Sequence, residues 1–222
     1  MEQLPLEVQL DDFALFETWL TGQNGTLLHS LQSLMAVNEF AVCWVYGPAE
    51  AGKTHLLQAC VSAADRLQNR AAYLPLGTDL GIMPGMVEEM DNLDFICIDE
   101  IDAVAGHAEW ERALFNLFER MRQQGSALVM AAENAPIHCS FALPDLVSRF
   151  SSGATFRLNP LSDAEKIQAM QLRAGWRGLE MPDDVAKFLI RRVARGNRYL
   201  FDLLEQLDRQ ALAEQKRLTI PF

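Results

Sequence analysis

The sequence has few of the features that mark secreted, zinc-binding or membrane proteins. Its four cysteines, at positions 43, 60, 97 and 139, are widely spaced and form no C-x-x-C pair, so we expect buried, reduced thiols rather than disulfides or a zinc site. No apolar run approaches the roughly 20 residues that a bilayer-spanning helix needs. The N-terminus is acidic and lacks the basic region of a signal peptide. We therefore expect a cytoplasmic protein with no membrane partner.

An excess of positive charge is also missing, because the formal net charge is -11. This balance argues against a main role in binding nucleic acid, whose phosphates require cations. Basic residues do gather between Arg173 and Arg217. They could form a local basic face or an ordinary solvated helical surface, and charge patterning alone favours the second. Contact with DNA is accordingly expected to be indirect or weak.

Apolar runs alternate with helical patterns through the first two thirds of the chain. Continuous apolar runs are typical of parallel strands covered on both faces, so an α/β domain with a five-stranded parallel sheet is predicted over 13–159. The predicted strands are Phe40–Tyr46, Ala71–Leu76, Leu93–Ile98, Ala127–Ala132 and Thr155–Leu158. The predicted helices are Lys53–Gln68, Pro84–Met90, Glu109–Gln123 and Leu143–Phe150.

Strand patterns stop after Asn159-Pro160. The capping box Ser162-x-x-Glu165 opens a helix to about Ala174. Two more helices are predicted, from Pro182 to about Ala194 and from about Arg198 to Lys216. A small all-helical lid domain is therefore predicted over 160–222.

A complete phosphate-loop motif, G-x-x-x-x-G-K-[ST], lies between the first predicted strand and the following helix. It consists of Gly47, Pro48, Ala49, Glu50, Ala51, Gly52, Lys53 and Thr54. Such a loop wraps phosphates with backbone N–H groups at a helix N-terminus. Lys53 is expected to reach the β- and γ-phosphates, and the Thr54 hydroxyl to bind Mg²⁺. The motif predicts a site for ADP or ATP with Mg²⁺.

Two carboxylates follow the third predicted strand, at Asp99 and Glu100. In a phosphate-loop protein, Asp99 would hold Mg²⁺ through water, as the second metal residue beside Thr54. Glu100 would orient or activate the attacking water. An apolar run that ends in Asp-Glu is weak evidence alone, but its position after the motif strengthens it.

Together these features resemble AAA+ ATPases. Gly52–Leu57, Leu146–Phe150, Leu158–Ser162 and Leu218–Phe222 resemble the bacterial DnaA family and, more closely, its shorter Hda branch. The resemblance implies a negative regulator of chromosome replication: with the DNA-loaded sliding clamp, it stimulates hydrolysis of ATP bound to DnaA. The chain reaches Phe222 directly after the lid, so the helix-turn-helix domain of DnaA is not expected.

The resemblance also implies roles for single residues. Arg149 corresponds to the arginine finger, which acts on a neighbouring subunit's γ-phosphate, and Arg198 to a second sensor arginine that contacts phosphates. His55 belongs to the nucleotide motif. The first sensor position holds Glu133-Asn134, where the family has Asp-Arg or a similar polar pair. Near the adenine, the resemblance weakly implies three further residues, which are Phe13, Phe16 and Asn24.

The first residues contain a stretch similar to a clamp-binding peptide. Gln3, Leu4, Leu6 and Val8 would contact the β subunit of DNA polymerase III, within an extended segment 1–12. Val8 stands where such peptides usually end in Leu or Phe. Without the resemblance, a disordered terminus is the better interpretation.

Three functions stay open at this point. The chain could be a nucleotide-bound adaptor that offers Arg149 to DnaA, with little turnover of its own. It could be a DnaA-like or helicase-loader ATPase with its own cycle, since Lys53, Thr54 and Glu100 are intact. It could also be an interaction module on the clamp. A homodimer is plausible, because AAA+ sites lie at subunit boundaries.

Overall fold

The fold is given by a computed structural model, which describes residues 14–35, 39–77, 81–88, 90, 92–192, 203–204, 206–207 and 218–219. Its centre is a five-stranded parallel sheet in the order β2-β3-β4-β1-β5. The strands are β1 (Ala41–Tyr46), β2 (Ala71–Pro75), β3 (Phe95–Asp99), β4 (Ala127–Ala132) and β5 (Ala154–Arg157). All five lie close to their predicted positions, and the predicted fold class is confirmed.

Helices cover both faces of this sheet. They are α1 (Gly25–Leu34), α2 (Lys53–Arg66), α3 (Pro84–Glu88), α4 (Ala108–Gln124) and α5 (Pro144–Phe150). Four of them match predicted helices. The sequence reading missed α1, although Leu27, Leu31 and Leu34 recur at the spacing of one helical face.

Side chains of each strand alternate between two apolar cores. Cys43 and Val45 of β1 pack into the core on the α1 and α2 side, whereas Val42 and Trp44 pack into the core on the α4 and α5 side. This alternation is the geometric consequence of the two-residue period of a strand. Burial on both sheet faces is why the strands read as continuous apolar runs.

Three of the four cysteines are buried, as predicted. Cys43, Cys60 and Cys97 are free and buried, and Cys139 is free and half-buried. Burial, with a smaller contribution from Cys60, raises the pKa of Cys43 to about 12. With its pKa raised in this way, the Cys43 thiol stays protonated and unreactive at neutral pH.

The lid begins with α6 (Asp163–Trp176) and α7 (Asp183–Arg192). Its predicted capping box is present, since Ser162 Oγ accepts from the Glu165 N–H and the Glu165 carboxylate accepts from the Ser162 N–H. The lid has a small core of its own, formed by Met170, Ala174, Met181, Ala186, Leu204 and Leu218. Most of the predicted third helix, 198–216, lies outside the described residues.

No helix in the described part of the chain is long and apolar enough to cross a bilayer.

The segment before β1 is tied to the junction between sheet and lid. The buried Asn24 side chain donates to the Asn159 carbonyl at 3.0 Å and accepts from the Asn159 N–H at 2.8 Å. Phe16 packs against the core on the α1 and α2 side. Both side chains thus have structural contacts at positions where the resemblance implies adenine binding, which stays a prediction.

Candidate functional site

The phosphate loop connects the end of β1, which lies between β4 and β5 in the sheet, to the start of α2. Gly47 passes so close to β5 that an added Cβ would lie 2.8 Å from the Leu158 carbonyl oxygen. Gly52 has a φ of 99°, in the left-handed region that favours glycine. Both glycines of the motif are therefore required by the path of the backbone.

Lys53 lies inside this loop and is 8% exposed. Its ammonium donates to the carbonyls of Gly47 at 2.7 Å and Pro48 at 2.9 Å. A lysine ammonium has three hydrogens, so a third can donate to a phosphate oxygen. The neighbouring Thr54 is exposed in the first turn of α2. The loop thus fixes one cation by its own backbone and exposes one hydroxyl beside it.

Asp99 ends β3 and is 2% exposed. Its carboxylate accepts from the Tyr73 hydroxyl at 2.8 Å and from the Glu100 N–H at 3.0 Å. Burial first, and then Asp99, raise the pKa of Tyr73, which therefore remains a hydrogen-bond donor. The carboxylate that the sequence assigns to magnesium is consequently oriented by two protein donors.

Glu100 is exposed and has a φ of 52°, a conformation that non-glycine residues seldom adopt. Its side chain lies against Gly77, because a Cβ at Gly77 would be 2.1 Å from Glu100 Oε2. Gly77 therefore leaves the space that the Glu100 side chain occupies. We call Gly47–Thr54, Asp99 and Glu100 the phosphate edge.

Glu133 and Asn134 follow β4 and are both exposed. The Glu133 N–H donates to Asp102 Oδ2 at 2.9 Å, and the Trp44 indole donates to the Asn134 carbonyl at 2.9 Å. These bonds hold the main chain of the predicted first sensor. They do not decide between the two side chains for that role.

His55 is buried on the side of α2 that faces the lid and the N-terminal segment. Its Nε2 lies 3.0 Å from the Leu15 carbonyl and 3.3 Å from Thr18 Oγ1, and its Nδ1 contacts the buried Arg173 guanidinium of α6. The imidazole therefore connects three parts of the molecule. The sequence predicted only a place in the nucleotide motif.

Arg149 lies in the last turn of α5 with its side chain 28% exposed. Its Nε donates to Glu119 Oε1 of α4 at 2.6 Å, and its guanidinium carbon is 4.3 Å from the centre of the Phe115 ring. We call Phe115, Glu119 and Arg149 the finger face. It belongs to the α4 and α5 side of the sheet.

The buried side chain of Glu111 stabilises the loop that precedes α5. This carboxylate is fully buried, and it accepts from the N–H groups of Gly106, Ala142 and Leu143 at 2.7 to 2.8 Å. A buried carboxylate is tolerated when donors satisfy it in this way. It fixes the loop before α5 to the first turn of α4.

Several predicted site residues lie outside the described residues. They are Gln3, Leu4, Leu6, Val8, Phe13 and Arg198. Their assigned roles stay predictions.

Other contributors were missed by the sequence reading. Tyr73 and Gly77 belong to β2 and the residues just after it, whereas Glu111 and Glu119 lie on α4. Glu111 itself was a signal, because it is a charged residue on the otherwise apolar, buried face of α4. The pairing of Glu119 with Arg149 has no local sequence signal, because 30 residues separate them.

The phosphate edge fits a magnesium–nucleotide complex better than a metal ion alone. Within the described residues, no three His, Cys, Asp or Glu side chains are grouped so that they could hold a metal ion. Magnesium usually keeps several waters and takes only one or two protein ligands together with phosphates. One exposed hydroxyl and one oriented carboxylate match that donor set, and the Lys53 ammonium is placed to donate to the phosphates rather than to bind the metal.

Comparisons with known proteins agree with this architecture. Residues 163–222 match the family model described as "Hda, lid domain". Domain III of the Thermotoga maritima replication initiation protein DnaA is 21% identical with a TM-score of 0.79, covering 96% of this chain and 95% of that one.

Two other solved structures share the fold. AMPPCP-bound DnaA from Aquifex aeolicus is 18% identical with a TM-score of 0.71, and the match covers 89% of this chain and 66% of that chain. The Thermotoga maritima RuvB Holliday junction branch migration motor is 19% identical with a TM-score of 0.63, covering 88% and 65% respectively. The match to the Hda lid domain covers residues 163–222, and the likeness to the DnaA and RuvB structures shows that the chain shares their fold.

Proposed function

We propose that the chain is a negative regulator of chromosomal replication initiation. It binds ADP or ATP with Mg²⁺ and, with the DNA-loaded sliding clamp, stimulates hydrolysis of DnaA-bound ATP through Arg149. The observation that carries this proposal is the match of residues 163–222 to the Hda lid domain, joined to a DnaA-like sheet with an intact phosphate loop.

The nucleotide is proposed from the geometry of the phosphate edge. Backbone N–H groups of the loop and the N-terminus of α2 would hold the phosphates, and Lys53 would donate to them. Thr54 would ligate Mg²⁺, and Asp99 would orient its waters. Bound Mg²⁺ would neutralise phosphate charge, and the bound nucleotide would hold the loop in place against the sheet. A DnaA structure of the same fold is described as bound to AMPPCP.

Arg149 is proposed as the group that acts on a second protein. It belongs to the α4–α5 side of the sheet, and more than a quarter of its side chain is exposed. A finger arginine neutralises charge that develops on the transferred phosphoryl group and is worth about a thousandfold or more in rate. The hydrolysed ATP would belong to DnaA, so the chain's own turnover need not be fast.

Further partners enter this proposal as expectations. The sliding clamp would bind residues 3–8, DnaA would meet the finger face, and DNA would be contacted indirectly or weakly. Self-association is compatible with an AAA+ domain.

A second candidate is an ATPase with its own cycle, DnaA-like or of the helicase-loader type. The observation that favours it is the complete set of Lys53, Thr54, Asp99 and Glu100, with Asp99 already oriented by Tyr73 and the Glu100 N–H.

An ATPase assay separates the two. Phosphate release is measured for the chain alone, and then with DnaA–ATP, clamp and DNA. We expect slow release alone and strong stimulation in the full mixture. Arg149→Ala should abolish the stimulation, by about a thousandfold if the finger works as in related enzymes. Arg66→Ala is the matched control, because Arg66 is an exposed arginine of α2 on the other face of the sheet.

Two outcomes would contradict the proposed regulatory function. Fast turnover by the chain alone that disappears in Lys53→Ala would favour the second candidate. Full stimulation by Arg149→Ala would remove the finger role. The clamp contact is checked separately: clamp retention that survives Gln3→Ala with Leu4→Ala would remove the assigned peptide.

A further inference from the structure

We infer that Glu119 is the positioning residue of Arg149, anchoring its Nε edge so that the terminal amino groups remain available for a phosphate. The inference rests on the proposed function, because it concerns how the finger is presented. It is carried by the contacts within the finger face.

Arg149 is held on three sides. Glu119 Oε1 takes the Nε hydrogen at 2.6 Å, and the Phe115 ring lies under the guanidinium at 4.3 Å. Nη1 lies 3.3 Å from the Asp145 carbonyl and 3.8 Å from its carboxylate. The short bond to Glu119 and the aromatic contact are the close ones, so they define where the guanidinium plane lies.

The pattern of used and unused donors suits a finger. A guanidinium has five N–H donors in a fixed fork. Nε is used by Glu119, while no hydrogen bond from the described residues takes up Nη2. A phosphate can therefore be bound by the terminal amino groups while the bond to Glu119 persists. An acceptor that occupied Nη2 would instead compete with the phosphate.

Glu119 is itself well fixed. It lies within α4, next to the buried Phe118 and two residues before the buried Met121, and its side chain is 20% exposed. Its second oxygen meets Arg122 at 2.5 Å. Arg149 first, and then Arg122, lower the pKa of Glu119, so the anchor is charged at neutral pH.

Anchoring has a kinetic consequence. A free arginine side chain samples many rotamers, and it loses part of this conformational entropy whenever it must adopt one reactive geometry. A side chain that is already oriented loses less, and misplacement by about 1 Å can cost about a hundredfold in rate. Glu119 and Phe115 would orient the Arg149 guanidinium in this way before DnaA is bound.

The test compares Glu119→Ala with Glu119→Gln. Stimulated hydrolysis of DnaA-bound ATP should fall about tenfold in Glu119→Ala, because the anchor is lost while Arg149 is kept. Glu119→Gln keeps an oxygen that can accept from Nε, and it should retain most of the rate. Glu109→Ala, an exposed glutamate in the first turn of the same helix, is the matched control and should change nothing.

Two further measurements exclude a merely structural effect. In an Arg149→Ala background, Glu119→Ala should have no additional effect on stimulation. In NMR spectra of the protein alone, exchange of the Arg149 Nε–H with water should be slow in the wild type and at least several-fold faster in Glu119→Ala. Glu119→Leu, which removes the acceptor but keeps most of the side-chain volume, serves both measurements if Glu119→Ala fails to fold.

The outcomes are distinguishable. Unchanged or increased stimulation by Glu119→Ala, in a preparation whose wild type is active, would overturn the inference while leaving the proposed function intact. Increased stimulation would mean that Glu119 restrains the finger. No stimulation by the wild type would refute the proposed function itself, whatever the NMR result.

Discussion

The phosphate edge and the finger face each present a cation, but they hold it by different means. Lys53 is 8% exposed and is gripped by two backbone carbonyls of its own loop. Arg149 is 28% exposed at the side chain and is held by a carboxylate and a ring from another helix. A cation enclosed by its own backbone can only serve a ligand that enters the loop. One anchored at its inner edge can serve a ligand brought by a second molecule.

The largest effect on stability should come from Glu111, the buried carboxylate that fixes the loop before α5 to α4. Glu111→Ala leaves three backbone N–H groups without their acceptor, so the free energy of unfolding should fall by about 3 kcal/mol or more. Urea denaturation measures the loss, with the exposed Glu109→Ala as control. A loss below about 1 kcal/mol would show that water or other acceptors replace the carboxylate.

The next effect should separate the two cations. Lys53→Ala should weaken ADP binding about 10- to 100-fold, since a charge-assisted hydrogen bond contributes about 1.5–3 kcal/mol. Arg149→Ala should leave ADP affinity unchanged. Isothermal titration calorimetry of both variants is the measurement. Equal losses in the two would mean that the finger face also serves the chain's own nucleotide.

A smaller effect should arise where the phosphate edge is packed tightly. Gly77→Ala places a Cβ 2.1 Å from Glu100 Oε2 and 2.8 Å from Glu100 Cβ, so we expect a loss of stability of about 1 kcal/mol. In a Glu100→Gly background the same substitution should cost less, because its neighbour is gone. Thermal unfolding of the four proteins completes this cycle. Additive effects would show that the two residues do not contact each other in solution.

The smallest effect should be the pH response of the finger face. Arg149, followed by Arg122, lowers the pKa of Glu119 below the ordinary value of 4.5. The pair's contribution to stability is therefore fully present above about pH 4.5 and is lost as pH falls through the lower folded pKa. A carbon-detected NMR titration should show this pKa rise in Arg149→Ala. An unchanged pKa would mean that Arg122 alone perturbs Glu119.

Local motifs explain why much of the phosphate edge was predictable. The loop, its glycines and the carboxylates after β3 are adjacent in sequence, and strand and helix periodicity places them in the fold. All five strands were found for the same reason. The helix α1 was not predicted, although its leucines follow a helical spacing.

Contacts between distant residues could not be predicted in this way. Nothing in the sequence near Arg149 indicates Glu119 or Phe115, and nothing near Asp99 indicates Tyr73. Gly77 could be recognised only once β2 and β3 were paired in register. Such contacts depend on tertiary packing, which a pattern within one segment does not contain.

The paired hydrogen bonds between Asn24 and the main chain of Asn159 have a mechanical consequence. These two short bonds fix the main chain just before the lid, and the contact of Arg173 with His55 connects α6 to α2 at a second place. Two separate attachments restrain a rigid body more than one does. A ligand that moved the lid as a unit would therefore have to stretch or break at least one of them.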